Sequence, residues 1–156
     1  MQAQGRYYGL SGSTERVRWM GGRMKRKQKI DRKKLEKELD KLFSKAVIAR
    51  DGKCQVSGSD YRLSAHHIRS RRHAITRWNL DNGICLSWKV HSLQKFNPEL
   101  FHDKIIERIG QKEYDRLKEI SNMTYKFSID ELLRIKEQLK QKINEYNGTD
   151  YSDLPF

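Results

Sequence analysis

From Asp31 onward the chain becomes periodic, and that periodicity decides what it can fold into. Leu35, Leu39, Leu42, Phe43, Ala46 and Val47 recur at three- and four-residue steps, with Lys and Glu between them. Such spacing puts them on one face of an α-helix. Asp31 reads as its N-cap, and Asp51-Gly52 as the turn that ends it. The pattern recurs after Asn97-Pro98, a helix-start pair. That helix carries Leu100, Phe101, Ile105, Ile106 and Ile109 and stops at Gly110. A shorter one follows, with Tyr114, Leu117 and Ile120 on one face. The last opens on the capping-box pattern Ser128-Ile-Asp-Glu131 and runs through Leu132, Leu133, Leu139 and Ile143 to about Tyr146, ending at Asn147-Gly148.

Between the helical stretches the pattern changes. Residues 53–68 read as two short strands around a turn at Gly58-Ser59-Asp60, and Gly83–Leu86 as another small strand. Ser87 is a candidate N-cap for a helix beginning at Trp88. Residues 69–81 are too polar and basic for a core strand and read as a loop. The expected class is therefore α+β, mostly helical. It divides into a basic N-terminal arm (1–29), a leading helix (30–52), a central unit (53–97), a helical scaffold (98–147) and a tail (148–156).

Composition bounds the rest. The hydrophobic fraction is 36%, below the ~45–50% usual for globular domains on a scale that also counts Gly, so the core must be small. Two cysteines, Cys54 and Cys85, make no disulfide framework. No apolar run approaches the ~20 residues of a membrane span, and the first residues lack a signal peptide's apolar stretch. A soluble cytoplasmic protein is expected. The formal net charge is +13, which favours a polyanionic partner, nucleic acid first. Residues 1–30 carry +7 and residues 61–100 carry +5, while residues 101–156 are nearly neutral.

The second basic segment holds the residues with chemistry. His66 and His67 are adjacent, His91 follows 24 residues later, and Asn82 lies between. Neighbours on a regular strand point to opposite faces, but at a strand end both histidines could converge on one cleft. Phosphodiester hydrolysis needs a divalent metal to neutralise developing charge and a base with a pKa near neutrality. His66 and His91 can serve as ligands and His67 as base. Arg69, Arg71, Arg72, Arg77, Lys89 and Lys95 are candidate contacts to the DNA backbone.

Residues 50–97 resemble the HNH nuclease motif, the ββα-metal or His-Me finger. The strings that carry the likeness are His66-His67-Ile68, Asn82-Gly83-Ile84-Cys85-Leu86-Ser87 and Val90-His91. The resemblance implies a ββα-metal core and an endonuclease that leaves 5′-phosphate and 3′-hydroxyl ends. It implies that His66 and His91 hold one divalent ion, Mg2+ or Mn2+, that His67 is the general base, and that Asn82 pins the loop beside it. Many such domains also hold a structural zinc on two Cys-x-x-Cys pairs. Here those positions are Cys54, Ser57, Ser87 and Val90. Structural zinc needs four N or S ligands, so none is expected; packing, with Trp78 and Trp88 as candidates, should replace it. A further His, four residues beyond the helix His in colicin-type members, is here Lys95. The Arg-rich loop and the helices after it also resemble phage recombination proteins of the NinG type, which implies a phage or prophage source and a role in DNA recombination or processing. The partner implied is duplex or branched DNA, with a homodimer open. The competing expectation is a nucleic-acid-binding protein that keeps the charge and lacks the chemistry.

Overall fold

The computed structural model describes residues 30–148. The basic arm and nearly all of the tail lie outside them. The described chain is α+β and mostly helical. Helix α1 (Arg32–Asp51) starts on Asp31, whose carboxylate accepts from the Lys33 and Lys34 amides, and ends at Gly52 with φ 65°. Strand β1 (Leu63–His67) pairs antiparallel with β2 (Gly83–Ser87), His67 opposite Gly83 and Leu63 opposite Ser87. Helices α2 (Trp88–Phe96), α3 (Pro98–Ile109), α4 (Gln111–Ser121) and α5 (Ile129–Tyr146) follow. Ser87 caps α2, Asn97 caps α3 with Pro98 in its first turn, and Ser128 and Glu131 form the capping box of α5. These caps hold orphan amides at each helix start.

The hairpin is the partition between two apolar clusters. All five residues of β2 are buried. Side chains alternate along a strand, so β2 serves both sides. Cys85 faces one cluster with Leu39, Phe43, Val47, Leu132 and Leu139, which joins α1 to α5. Ile84 and Leu86 face the other, with Cys54, Val90, Phe101 and Ile105. Gly83 is required by this packing. A Cβ there would lie 2.4 Å from Val47 Cγ2 and 2.8 Å from Phe43 Cζ.

The end of α1 clamps the hairpin from its side. Arg50 pairs with Asp51 and donates to the carbonyls of Leu80 and Gly83, each at 2.8 Å. Asp51 accepts from the Cys85 amide at 2.8 Å. The sequence read Asp51 only as the end of a helix.

Two expectations fail here. Residues 53–58 form a turn in place of a strand: the Cys54 amide bonds to Ser59 O, and the Gly58 amide bonds back to Cys54 O. A single backbone bond, Gln55 N–H to Cys85 O at 2.9 Å, ties the segment to β2. The apolar Cys54 and Val56 pack on the second cluster without a ladder. Trp88 is the second departure. Trp78 is buried and donates its indole N–H to Asp40, but Trp88 is 65% exposed and contributes nothing to the core.

Among the described residues no helix is long and apolar enough to cross a membrane.

Candidate functional site

The two adjacent histidines lie within the regular part of β1, and their contacts are on opposite faces. His66 is buried, with its ring edge-on to Phe101 at 5.0 Å and to His91 at 4.9 Å. His67 stacks flat on Phe43 of α1, centroids 4.3 Å apart. The expectation that both rings enter one cleft is corrected: β1 keeps its alternation through its last residue, and Gly83 opposite leaves room for Phe43 beneath His67.

His66 Nδ1 and His91 Nε2 face each other at 3.1 Å. Two imidazole nitrogens bound at about 2.1 Å to one divalent ion, at a right angle, stand about 3 Å apart. The separation is that of a hydrogen bond between the two rings, and it is also compatible with both nitrogens, once deprotonated, binding one cation. Behind His91, its Nδ1 lies 3.0 Å from Ser64 Oγ. That bond lets His91 carry its proton on Nδ1 and present Nε2 as a lone pair, the usual way an outer partner orients a ligand. Among the described residues no group of three or more His, Cys, Asp or Glu side chains gathers that could hold a metal. Water and phosphate oxygens would have to complete the shell.

His67 has a fixed tautomer. Its Nε2 is 2.8 Å from the carbonyl of Arg77, and a carbonyl only accepts. Nε2 therefore bears the hydrogen, and Nδ1 carries the lone pair of a base. All three rings favour the neutral form. Burial lowers the His66 pKa to about 4, helped by His91 and His67. Burial also lowers His67, opposed by the Arg77 carbonyl and Asp40 and reinforced by Arg71 and Arg77. His91 is lowered by burial and by Lys95. Neutral imidazole is the form needed both for a ligand and for a base.

Asn82 is completely buried and uses its whole amide. Its Oδ1 accepts from the Arg69 amide at 2.6 Å, and its Nδ2 donates to Arg69 O and Thr76 O, each at 3.0 Å. It stitches both ends of the 68–77 loop against the start of β2. The loop contains a short 3-10 turn at Ala74–Thr76, and a second, Leu80–Asn82, leads into β2.

The six basic candidates divide into two groups. Arg77 makes a two-pronged pair with Asp40 at 3.0 and 2.7 Å and lies 3.6 Å from Glu36. Arg69 donates to Ser121 Oγ and Tyr114 OH, each at 3.2 Å. Both guanidiniums bind the loop to its own scaffold. Arg71, Arg72, Lys89 and Lys95 are exposed, and their side chains make no ion pair among the described residues.

The four positions of the zinc-type pattern do come together. Cys54 Sγ accepts from the Ser57 amide at 3.3 Å, Ser57 Oγ is 3.4 Å from Ser87 Oγ, and Val90 packs with Cys54. Burial pushes the Cys54 thiol up, but donors from Ser57, Ser87 and Val56 outweigh it and bring its pKa down to about 7.

Sequence reasoning missed Ser64, Phe43, Phe101 and Asp40. Ser64 was within reach, since it stands two residues before His66 on the same strand face. The others approach from distant helices, and nothing local marks them.

No family model, curated protein or solved structure matches this chain.

Proposed function

We propose that the chain is a metal-dependent DNA endonuclease with a ββα-metal core formed by β1, β2 and α2. The observation that carries this reading is the pair of facing nitrogens on His66 and His91, 3.1 Å apart, beside a His67 whose tautomer is fixed by the Arg77 carbonyl. In-line hydrolysis puts the attacking water and the departing oxygen on opposite sides of phosphorus. A metal pair on one face of the strand end and a base on the other suit a phosphate lying across that end. A bound divalent cation supplies charge neutralisation at the phosphate and the leaving oxygen.

The chain's own residues do the rest. His67 Nδ1 takes a proton from water as its oxygen attacks phosphorus. The P–O3′ bond breaks, leaving a 5′-phosphate, and the 3′ oxygen takes a proton from solvent. Ser64 orients His91. Asn82 holds the loop that carries the Arg77 carbonyl, and so aims His67. Arg71, Arg72, Lys89 and Lys95 hold the DNA backbone.

The test is plasmid cleavage with Mg2+ or Mn2+. His67→Ala should cost at least the ~10²–10⁴-fold typical of a lost acid–base group. Cleavage that persists unchanged in that variant removes His67 as the base. One observation favours the rival reading, a nucleic-acid-binding protein without chemistry: the two-ligand site. Salt-sensitive binding with no nicking across a metal series would decide for it.

A further inference from the structure

One face of α2 is both aromatic and open. Trp88, His91, Ser92 and Lys95 fall at helical spacing on the same side, and Val90 is buried on the other. Trp88 is 65% exposed although it lies one turn from the half-buried His91. A second aromatic is held beside the start of this helix. Tyr61 is 68% exposed, the Arg62 guanidinium lies 5.4 Å over its ring, and the Arg62 carbonyl accepts the Trp88 amide at 2.9 Å. Arg62 adopts a left-handed backbone with φ 49°. That bend turns the chain into β1 and brings Tyr61 and Arg62 to the end of the hairpin where Trp88 emerges.

Charge indicates what covers these rings. Residues 61–100 hold seven Lys or Arg against two acids, Asp81 and Glu99, with Asp60 just before them; Asp81 is paired with Arg116 at 2.9 Å. An exposed aromatic face within a net basic segment suits a polyanion that also has flat apolar faces, which describes nucleotides. Within an intact duplex the base faces are stacked on one another and unavailable. In a single strand they are free, and aromatic side chains take them up.

We propose that Trp88, with Tyr61 and Arg62, is a base-stacking shelf beside His91, and that the DNA accepted there is single-stranded next to the phosphate to be cut. The substrate form rests on the endonuclease reading; the shelf as a binding site does not. Stacking gives the contact and selects unpaired bases, while Lys89 and Lys95 follow the backbone.

The experiment measures binding by the full chain in chelator, so that no cutting occurs. Fluorescence anisotropy compares a labelled 12-nucleotide oligo-dT, the same strand with abasic positions, and a 12-base-pair duplex. Trp88→Ala should weaken oligo-dT binding roughly tenfold or more, as loss of a stacked base does, and change duplex binding less than twofold. Trp88→Phe should restore most of the loss. The abasic strand should bind wild type about as weakly as oligo-dT binds Trp88→Ala. Equal weakening on duplex and single strand overturns the proposal, as does an abasic strand that binds like oligo-dT. A change in sedimentation with unchanged oligo-dT binding also overturns it, since Trp88 would then cover a second copy of the chain. Circular dichroism verifies that the variants fold. Metal-dependent cleavage by wild type and His67→Ala is scored separately. Intact stacking without cleavage sinks the endonuclease alone; cleavage without stacking sinks the shelf alone.

Discussion

Asn82 has no access to water and satisfies three backbone groups, the Arg69 N–H and the carbonyls of Arg69 and Thr76. Two of the three need a donor, which an amide has and a carboxylate lacks. Asn82→Ala should cost about 1–3 kcal/mol, the range for leaving a buried polar group unpaired. Asn82→Asp should cost more, because it sets a charge against two carbonyl oxygens. Urea unfolding checks the order; an Asp variant as stable as wild type would mean the amide nitrogen makes neither bond. Ser64 is a residue of a different sort: its Oγ lies 3.0 Å from His91 Nδ1 and donates a longer bond, 3.4 Å, to Leu86 O. If His91 is a ligand, Ser64→Ala should weaken Mn2+ binding roughly 10–100-fold, as loss of an outer hydrogen bond to a ligand does, while leaving the unfolding midpoint nearly unchanged. Calorimetric titration with Mn2+ measures it. The roles proposed for His66, His67 and His91 were legible as a set because order and spacing are properties of sequence. Their orientations were not. Whether His67 shares a cleft with His66 depends on where β1 stops being regular, and that is decided by Phe43, 24 residues earlier, stacking beneath the ring.

At the scale of elements, most boundaries were written in the caps. Asp31, Ser87, Asn97 and Ser128 each accept a backbone amide at the helix start assigned to them, because capping is local chemistry between residues two or three apart. The segment 53–58 was misread for the complementary reason. Its alternating apolar residues satisfy a strand pattern, but Gly58, with φ 72°, closes a tight turn before a ladder can form. The hairpin also carries a constraint that no local pattern reveals. Gly83 abuts Val47 and Phe43 so closely that Gly83→Ala must displace their side chains or the backbones that carry them. Overpacking of this sort should destabilise by about 1–3 kcal/mol. Since β2 sits between both apolar clusters, the shift should also disturb His67. Thermal unfolding and the near-ultraviolet circular dichroism of the buried aromatics read the two effects. A variant with wild-type stability would mean that Val47 and Phe43 can make room without loss.

Over the whole molecule, charge has two uses that a count of residues does not separate. Arg71, Arg72, Lys89 and Lys95 are exposed, whereas Arg77 is tied to α1 through Asp40 and Glu36. On duplex DNA, removing one phosphate contact lowers the salt slope of binding by about 0.9. Lys89→Ala should do that and leave stability unchanged, and binding measured across a salt series checks it. Arg77→Ala should act chiefly through folding. The Asp40 cluster joins the first helix to the loop that carries the site, so it also sets how the fold meets acid. Burial raises the Asp40 pKa, but the bonds from Arg77 and Trp78 outweigh it and hold the carboxyl below its ordinary value. A carboxylate depressed in the folded state contributes stability above its unfolded pKa of about 3.9, and that contribution is lost as pH falls through the lower folded value. Asp40→Asn should therefore be less stable than wild type at pH 7 by about 1–3 kcal/mol, the scale of lost hydrogen bonds to a charged group. The difference should persist down to about pH 5 and shrink below about pH 4, as the wild-type carboxylate takes up its proton. Urea unfolding at a series of pH values reads this directly. A gap that stays constant down to pH 2 would show that the charge on Asp40 is not what ties the loop to α1.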